Sequence, residues 1–194
     1  MTAMLVHVVR HGETDWNSAG LAQGQSDLPR LNEQGRHEAA HAAAQLAGVG
    51  ATALFSSDLR RARETAEVIA AATGLPVQLT PALREQALGE WEGRVSAELW
   101  TSPECAGEWT ADRAAPGGES ARAVHERLSA FFRDVLATAH GPIVVVTHGD
   151  AARVALGLLA GHGADDLPWA HLATGQVLTV AADRALPLPE GSLR

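Results

Sequence analysis

Short apolar runs alternate with amphipathic segments along most of the chain, and this alternation is the feature that most restricts its fold. The apolar runs predict five strands, at residues 5–9, 53–55, 77–79, 143–146 and 177–180. The spacing of apolar residues between them predicts helices at 33–47, 58–73, 119–139 and 150–159. Strand–helix alternation of this kind predicts a three-layer α/β/α fold, with a mostly parallel central sheet and helices on both faces.

Residues 89–118 do not follow this pattern. The segment contains Trp91, Trp100 and Trp109, three of the five tryptophans. An irregular stretch of this length inside a regular fold is typical of a functional loop or insertion. We therefore predict one domain over residues 1–194, with a lid-like insertion around 89–118.

The charge of the chain restricts what it can bind. The formal net charge is −8, which argues against binding to nucleic acids or to anionic membranes. All 15 basic residues are arginines, so an anion site would be built from Arg, His or backbone N–H groups. The chain contains a single cysteine, Cys105, and has neither a signal-like segment nor an apolar segment of membrane length. These features together predict a cytoplasmic protein.

Two of the predicted strands end in the same way. Arg10, His11 and Gly12 follow the first strand, and Thr147, His148 and Gly149 follow the fourth. If these strands are neighbours in a parallel sheet, both histidines emerge at one edge, where ligands bind in open α/β folds. Arg60 and Arg61 follow the second strand and could join them. Two imidazoles, guanidinium groups and helix N-termini together form a site suited to phosphate.

Six segments in this order resemble the histidine phosphatase superfamily, also called the phosphoglycerate mutase-like family. The resemblance runs from Val6 to Val180. The matching segments are 9–17, 23–24, 56–62 with 64–66, 83–85 with 89–93, 116–120 and 146–149.

The resemblance implies a role for each matching residue. His11 would be the nucleophile that forms a phosphohistidine, and Glu85 would give a proton to the leaving alcohol. The phosphoryl group would be held by Arg10, Arg61 and a protonated His148, with secondary contacts from Asn17, Gln23 and the amide of Gly149. No metal or other cofactor is implied.

The chain departs from the family pattern at two positions. Asp150 stands where the family often has a second glycine, and it would add a negative charge near the phosphate site. Arg30 is an extra residue in the loop after Gln23 and Gly24, where it either places a cation at the rim of the site or extends a surface loop. We favour the surface loop.

Several neighbouring residues are expected to have structural roles. We expect Arg84 to form an ion pair, Arg60 and Arg63 to face solvent and Trp91 to pack internally. His37 and His41 are separated by one helical turn, but an exposed helix face is favoured over a metal site. Trp100, Trp109 and Arg113 lie where the family varies its substrate-facing insertion.

The leading functional hypothesis is a metal-independent phosphomonoesterase that acts on a small-molecule phosphate ester. The alternative is a phosphoglycerate mutase that depends on a bisphosphoglycerate primer, since it would share the same catalytic core. The short segment between Gly93 and Pro116 and the absence of Lys favour the phosphatase. A phosphatase of protein phosphohistidine and a non-catalytic phospho-ligand-binding member are further alternatives. The protein is expected to be a monomer or homodimer.

Overall fold

The computed structural model describes residues 4–106 and 110–182, and its centre is a five-stranded sheet. The strands are β1 (Met4–Arg10), β2 (Ala53–Ser57), β3 (Val77–Thr80), β4 (Ile143–Thr147) and β5 (Val177–Ala182). Their order is β3-β2-β4-β1-β5. The first four strands are parallel, and β5 runs antiparallel to β1 at the edge. All five predicted strands are confirmed, each one or two residues longer than predicted.

Six α-helices lie in the described part of the chain. They are α1 (Asp15–Ser18), α2 (Glu33–Leu46), α3 (Arg60–Thr73), α4 (Ser96–Thr101), α5 (Ala121–Thr138) and α6 (Gly149–Leu159). The four long helices match the predicted ones, whereas α1 and α4 are too short for a periodic signal. Helix α3 starts two residues later than predicted because Leu59 is its N-cap. None of the described helices is long and apolar enough to cross a membrane.

The helices cover both faces of the sheet, so the predicted three-layer fold is confirmed. On one face, α2 and α3 pack on strand residues that include Val9, Leu54 and Val144. On the other face, α5 and α6 pack on residues that include Val8 and Val145. Successive side chains of a strand point to opposite faces, so each strand contributes to both cores.

The irregular segment forms a small apolar cluster of its own. The buried members of this cluster are Ala22, Trp91, Leu99, Cys105 and Ala115. The internal packing predicted for Trp91 is therefore confirmed. Trp109 lies outside the described residues, as do 183–194, and a lid role for the segment stays a prediction.

The register of the two central strands positions the site. Arg10 of β1 lies opposite Thr147 of β4 in parallel pairing. The residues that follow them, His11 and His148, therefore leave the sheet side by side. A hydrogen bond of 2.9 Å from the His11 amide to the Thr147 carbonyl extends the ladder by one step.

Candidate active site

The two histidines meet at the carboxyl ends of the central strands, as the sequence predicts. Their ring centroids are 5.1 Å apart, and both side chains are almost fully buried. Gly12 lets the chain turn here, because its backbone passes against α2. A Cβ atom at Gly12 would lie only 2.2 Å from the Gly35 carbonyl oxygen. A residue larger than glycine would therefore not fit at position 12, directly after His11.

The hydrogen bonds of His11 determine which of its ring nitrogens can attack. Nδ1 lies 2.7 Å from the Gly12 carbonyl oxygen, which can only accept a proton, so Nδ1 carries the hydrogen. The lone pair is then on Nε2. Burial, followed by the Arg61 and Arg10 guanidinium groups, holds the pKa of His11 well below its ordinary value. The ring is therefore neutral at physiological pH, as a nitrogen nucleophile must be.

Arg61 is fully buried beside His11. Its Nε lies 3.3 Å from His11 Nε2, and its terminal nitrogens donate to the carbonyl oxygens of Ser26 and Gly24 at 2.8 and 2.7 Å. Burial lowers the pKa of Arg61 to about 10, so the guanidinium remains charged at neutral pH. The loop carbonyls hold this charge in a fixed orientation next to His11 Nε2.

Arg10 brings a second positive charge to the same edge of the sheet. One of its terminal nitrogens donates to the Leu172 carbonyl oxygen, while its Nε is buried and has no hydrogen-bond partner within residues 4–106 and 110–182. A Cβ atom at Gly149 would lie 3.5 Å from Arg10 Cζ and 3.6 Å from Glu85 Oε2. Arg10, Gly149 and Glu85 therefore border one narrow space beside the histidines.

His148 is oriented by Ser57, a residue whose role the sequence did not indicate. Its Nε2 lies 2.8 Å from Ser57 Oγ, and the Leu59 amide donates to the same oxygen at 3.2 Å. Nδ1 of His148 is buried without a hydrogen-bond partner among the described residues. If the Ser57 hydroxyl donates to Nε2, the proton of a neutral His148 is on Nδ1, available to a phosphoryl oxygen.

The surroundings of His148 do not favour the protonated ring that the resemblance implies. Burial and then the positive charge of Arg61 hold the pKa of His148 well below its ordinary value. No carboxylate in the described part of the chain is among the groups that shift the pKa of His148. Positive charge at the site is therefore supplied by Arg10 and Arg61, and His148 contributes a hydrogen-bond donor.

Glu85 is fixed at the N-terminus of α6, next to His148. Its carboxylate accepts hydrogen bonds from the amides of Ala151 at 2.9 Å and Asp150 at 3.2 Å. Its carbonyl oxygen accepts from Gln25 and Arg127, both at 3.0 Å. The structure thus holds both the backbone and the side chain of Glu85 at the edge of the site.

Asp150 lies beside Glu85, and half of its side chain is exposed. Loss of solvation next to the surrounding protein, followed by the negative charge of Glu85, raises the pKa of Asp150 to about 6. Solvent screens an exposed carboxylate, which limits its effect on the site. Its nearest cation is Arg153, whose Nε lies 3.9 Å from Asp150 Oδ1.

The three predicted secondary contacts, from Asn17, Gln23 and the amide of Gly149, remain predictions. Asn17 uses its side-chain oxygen in the capping box of α1, where it accepts from the amide and hydroxyl of Thr14. Its amide group is then the part that could reach an anion. Gln23 is buried, and its Oε1 has no hydrogen-bond partner in the described part of the chain.

The residues expected to be structural take the predicted positions. Arg84 forms a bidentate ion pair with Asp58, with N–O distances of 2.7 and 2.6 Å. Arg60 and Arg63 are partly exposed and pair with glutamates one helical turn later. The side chains of Arg30, His37 and His41 are exposed. No cluster of three or more potential metal ligands is found among the described residues.

The low pKa of His11 predicts how phosphoenzyme formation depends on pH. Because the ring stays neutral, kcat/KM for p-nitrophenyl phosphate should show no acid limb with an apparent pKa near that of free imidazole, about 6.5. The pH–rate profile measures this. Nitrogen-15 NMR of the imidazole rings provides a second measurement, since neither His11 nor His148 should take up a proton near pH 6.5. A limb near pH 6.5 would contradict the neutral nucleophile.

Comparisons with known proteins agree with this geometry. The profile of the histidine phosphatase superfamily (branch 1) matches residues 6–187. The chain is 38% identical over 162 residues to a probable phosphoglycerate mutase GpmB of Serratia proteamaculans, covering 79% of this chain and 72% of that one. The GpmB of Proteus mirabilis is 40% identical over the same length and coverage. The structure is similar to that of the mycobacterial glucosyl-3-phosphoglycerate phosphatase, with a TM-score of 0.83, 30% identity and coverage of 91% and 89%.

Proposed function

Because this chain belongs to branch 1 of the histidine phosphatase superfamily, we propose that it is a metal-independent phosphomonoesterase acting through a phosphohistidine on a small-molecule ester. The observation that carries the proposal is the state of His11. Its Nε2 carries a lone pair and lies 3.3 Å from a buried guanidinium nitrogen of Arg61. A neutral imidazole fixed beside a cation is suited to attack the phosphorus of a bound phosphate ester.

The first step transfers the phosphoryl group to the protein. His11 Nε2 forms a bond to phosphorus while the bond from phosphorus to the ester oxygen breaks. Arg10 and Arg61 stabilise the charge on the phosphoryl oxygens, and His148 donates a hydrogen bond through Nδ1. Glu85, beside Gly149 and Arg10, supplies the proton that the departing alkoxide needs.

The second step returns the enzyme to its initial state. Water attacks the phosphorus of phosphohistidine, the bond to Nε2 breaks, and inorganic phosphate leaves. Glu85, which is now ionised, accepts the proton from the attacking water. The same carboxylate therefore serves as acid in the first step and as base in the second.

The mutase is the second candidate, since the curated relatives reported above carry that name. It would use the same residues, but would return the phosphoryl group to another hydroxyl of the substrate. The structural similarity to a glucosyl-3-phosphoglycerate phosphatase supports hydrolysis instead. So does the short segment between α4 and α5, which provides little chain to enclose a substrate against water.

One assay separates these candidates. The protein is incubated with 3-phosphoglycerate and with p-nitrophenyl phosphate, with and without 2,3-bisphosphoglycerate, in a buffer containing EDTA. We expect release of inorganic phosphate that needs no primer and no added metal. Primer-dependent formation of 2-phosphoglycerate without phosphate release would favour the mutase. Failure to turn over any ester in a wider screen of phosphomonoesters would favour a binding protein.

A further inference from the structure

Arg153 is a mostly buried arginine whose Nε has no hydrogen-bond partner among the described residues. It lies one turn into α6, and only 14% of its side chain is exposed. It makes no hydrogen bond to any other residue that the structure describes, and its Nε is buried without a partner. The Asp150 carboxylate, at 3.9 Å, is too distant for a hydrogen bond. Leaving a guanidinium in this state is costly unless something else uses its donors.

Trp169 is the residue that faces Arg153. The Arg153 Cζ atom lies 5.9 Å from the centroid of the Trp169 ring. The tryptophan is 86% exposed, the highest value among the exposed large hydrophobic residues of the described chain. An uncovered aromatic face beside an unsatisfied guanidinium can bind a molecule that has both an apolar surface and a negative charge.

This pair is connected to the phosphate site from two directions. Asp150, the ion-pair partner of Arg153, donates its amide to the Glu85 carboxylate at 3.2 Å. Leu172, three residues after Trp169, accepts a hydrogen bond from Arg10. The pair therefore lies in the neighbourhood of Glu85 and Arg10. Because Glu85 must approach the ester oxygen, the alcohol part of the substrate extends in this direction.

We propose that Arg153 and Trp169 form a leaving-group subsite for a phosphate ester whose alcohol carries a carboxylate. The proposal rests on the proposed phosphatase function. The planar guanidinium fork matches a carboxylate, and the Trp169 ring packs against the carbon atoms beside it. A second phosphate would bring a dianion next to the half-exposed Asp150 carboxylate, which disfavours it.

The test compares two esters that differ mainly in the carboxylate. In 3-phosphoglycerate the carbon chain ends in a carboxylate, whereas in glycerol 3-phosphate it ends in a hydroxymethyl group. We expect kcat/KM to be on the order of 10–100-fold higher for 3-phosphoglycerate, the effect of one charge-assisted hydrogen-bonded pair. Arg153→Gln should reduce this ratio to about one. Trp169→Ala, at an exposed position that the fold does not need, should reduce it several-fold.

The controls distinguish a wrong subsite from a wrong function. Arg63→Gln removes a partly exposed positive charge on another helix and should retain the wild-type ratio. A wild-type ratio near one, or an unchanged ratio in both Arg153→Gln and Trp169→Ala, would overturn the subsite. In either case hydrolysis of p-nitrophenyl phosphate through phosphohistidine would still support the phosphatase. Preference for a bisphosphorylated alcohol over 3-phosphoglycerate would also overturn the carboxylate assignment.

Discussion

His11→Ala and the closer-sized His11→Asn are expected to abolish the phosphoenzyme and to reduce turnover by about a thousandfold or more. Neither side chain offers a nitrogen lone pair at the position of Nε2, so the first step has no nucleophile. Arg61 and Arg10 remain, and both variants should still bind phosphate. The change is therefore expected in kcat rather than in the affinity for inorganic phosphate.

The measurement uses the acid lability of phosphohistidine. Wild-type protein that is quenched during turnover should carry phosphate that is stable in base and lost in acid, and the two His11 variants should carry none. His41→Ala, which removes an exposed histidine from α2, is the matched control and should behave as wild type. Normal turnover by His11→Asn would show that another group attacks phosphorus.

The central part of the site was predictable because it depends on strand order. His11 and His148 each follow an apolar run and precede a glycine, and parallel strands end at the same edge of a sheet. Pairing of Arg10 with Thr147 then brings the two rings within 5.1 Å of each other. The sequence contains the repeated local pattern, and the structure supplies the long-range pairing of β1 with β4 on which the prediction depended.

Contacts made by the backbone were not predictable in the same way. The carbonyl oxygens of Gly24 and Ser26 orient Arg61, and that of Leu172 holds Arg10. Every residue has a carbonyl, so no residue type marks such a partner. Ser57 differs, because it is the last residue of β2 and its hydroxyl lies at the same edge as the histidines. Its contact with His148 could have been inferred once β2 was placed next to β4.

The charge state of His148 illustrates a further limit. The sequence predicts that the His148 imidazole lies near a phosphate site, and an imidazole in that position is expected to be protonated. The structure adds that the ring is completely buried and lies near Arg61, and both effects lower its pKa. Burial and the sign of neighbouring charges depend on the assembled fold. A residue's type therefore predicts its possible roles, while its surroundings select one of them.

Asp150 shows how the fold accommodates an unfavourable charge. Its amide supports Glu85, so the backbone at this position has a role that any residue could fill. Its carboxylate lies near Arg153 rather than against the histidines, and it is half exposed. Arg10 and Arg61 therefore remain the positive charges that act most strongly on His11. The carboxylate instead affects the region around Glu85, where the leaving group would lie.

Glu85→Gln should separate substrates by the basicity of their leaving groups. Glutamine keeps the shape of the side chain and one oxygen, which can accept from one of the two amides that Glu85 Oε1 and Oε2 bind. It cannot donate a proton as a carboxylic acid does. For glycerol 3-phosphate, whose alkoxide must be protonated, kcat/KM should fall by about 10²–10⁴. For p-nitrophenyl phosphate, whose phenolate leaves unprotonated, the loss should be much smaller.

The comparison uses kcat/KM because this quantity reports phosphoenzyme formation and is not affected by the later hydrolysis of phosphohistidine. Glu90→Gln, at an exposed glutamate five residues along the chain, removes the same charge and should leave both substrates as in wild type. Equal losses on the two esters in Glu85→Gln would mean that Glu85 positions α6 rather than protonating the alcohol. In that case the half-exposed Asp150, which lies at the same helix terminus, would be the next carboxyl group to replace.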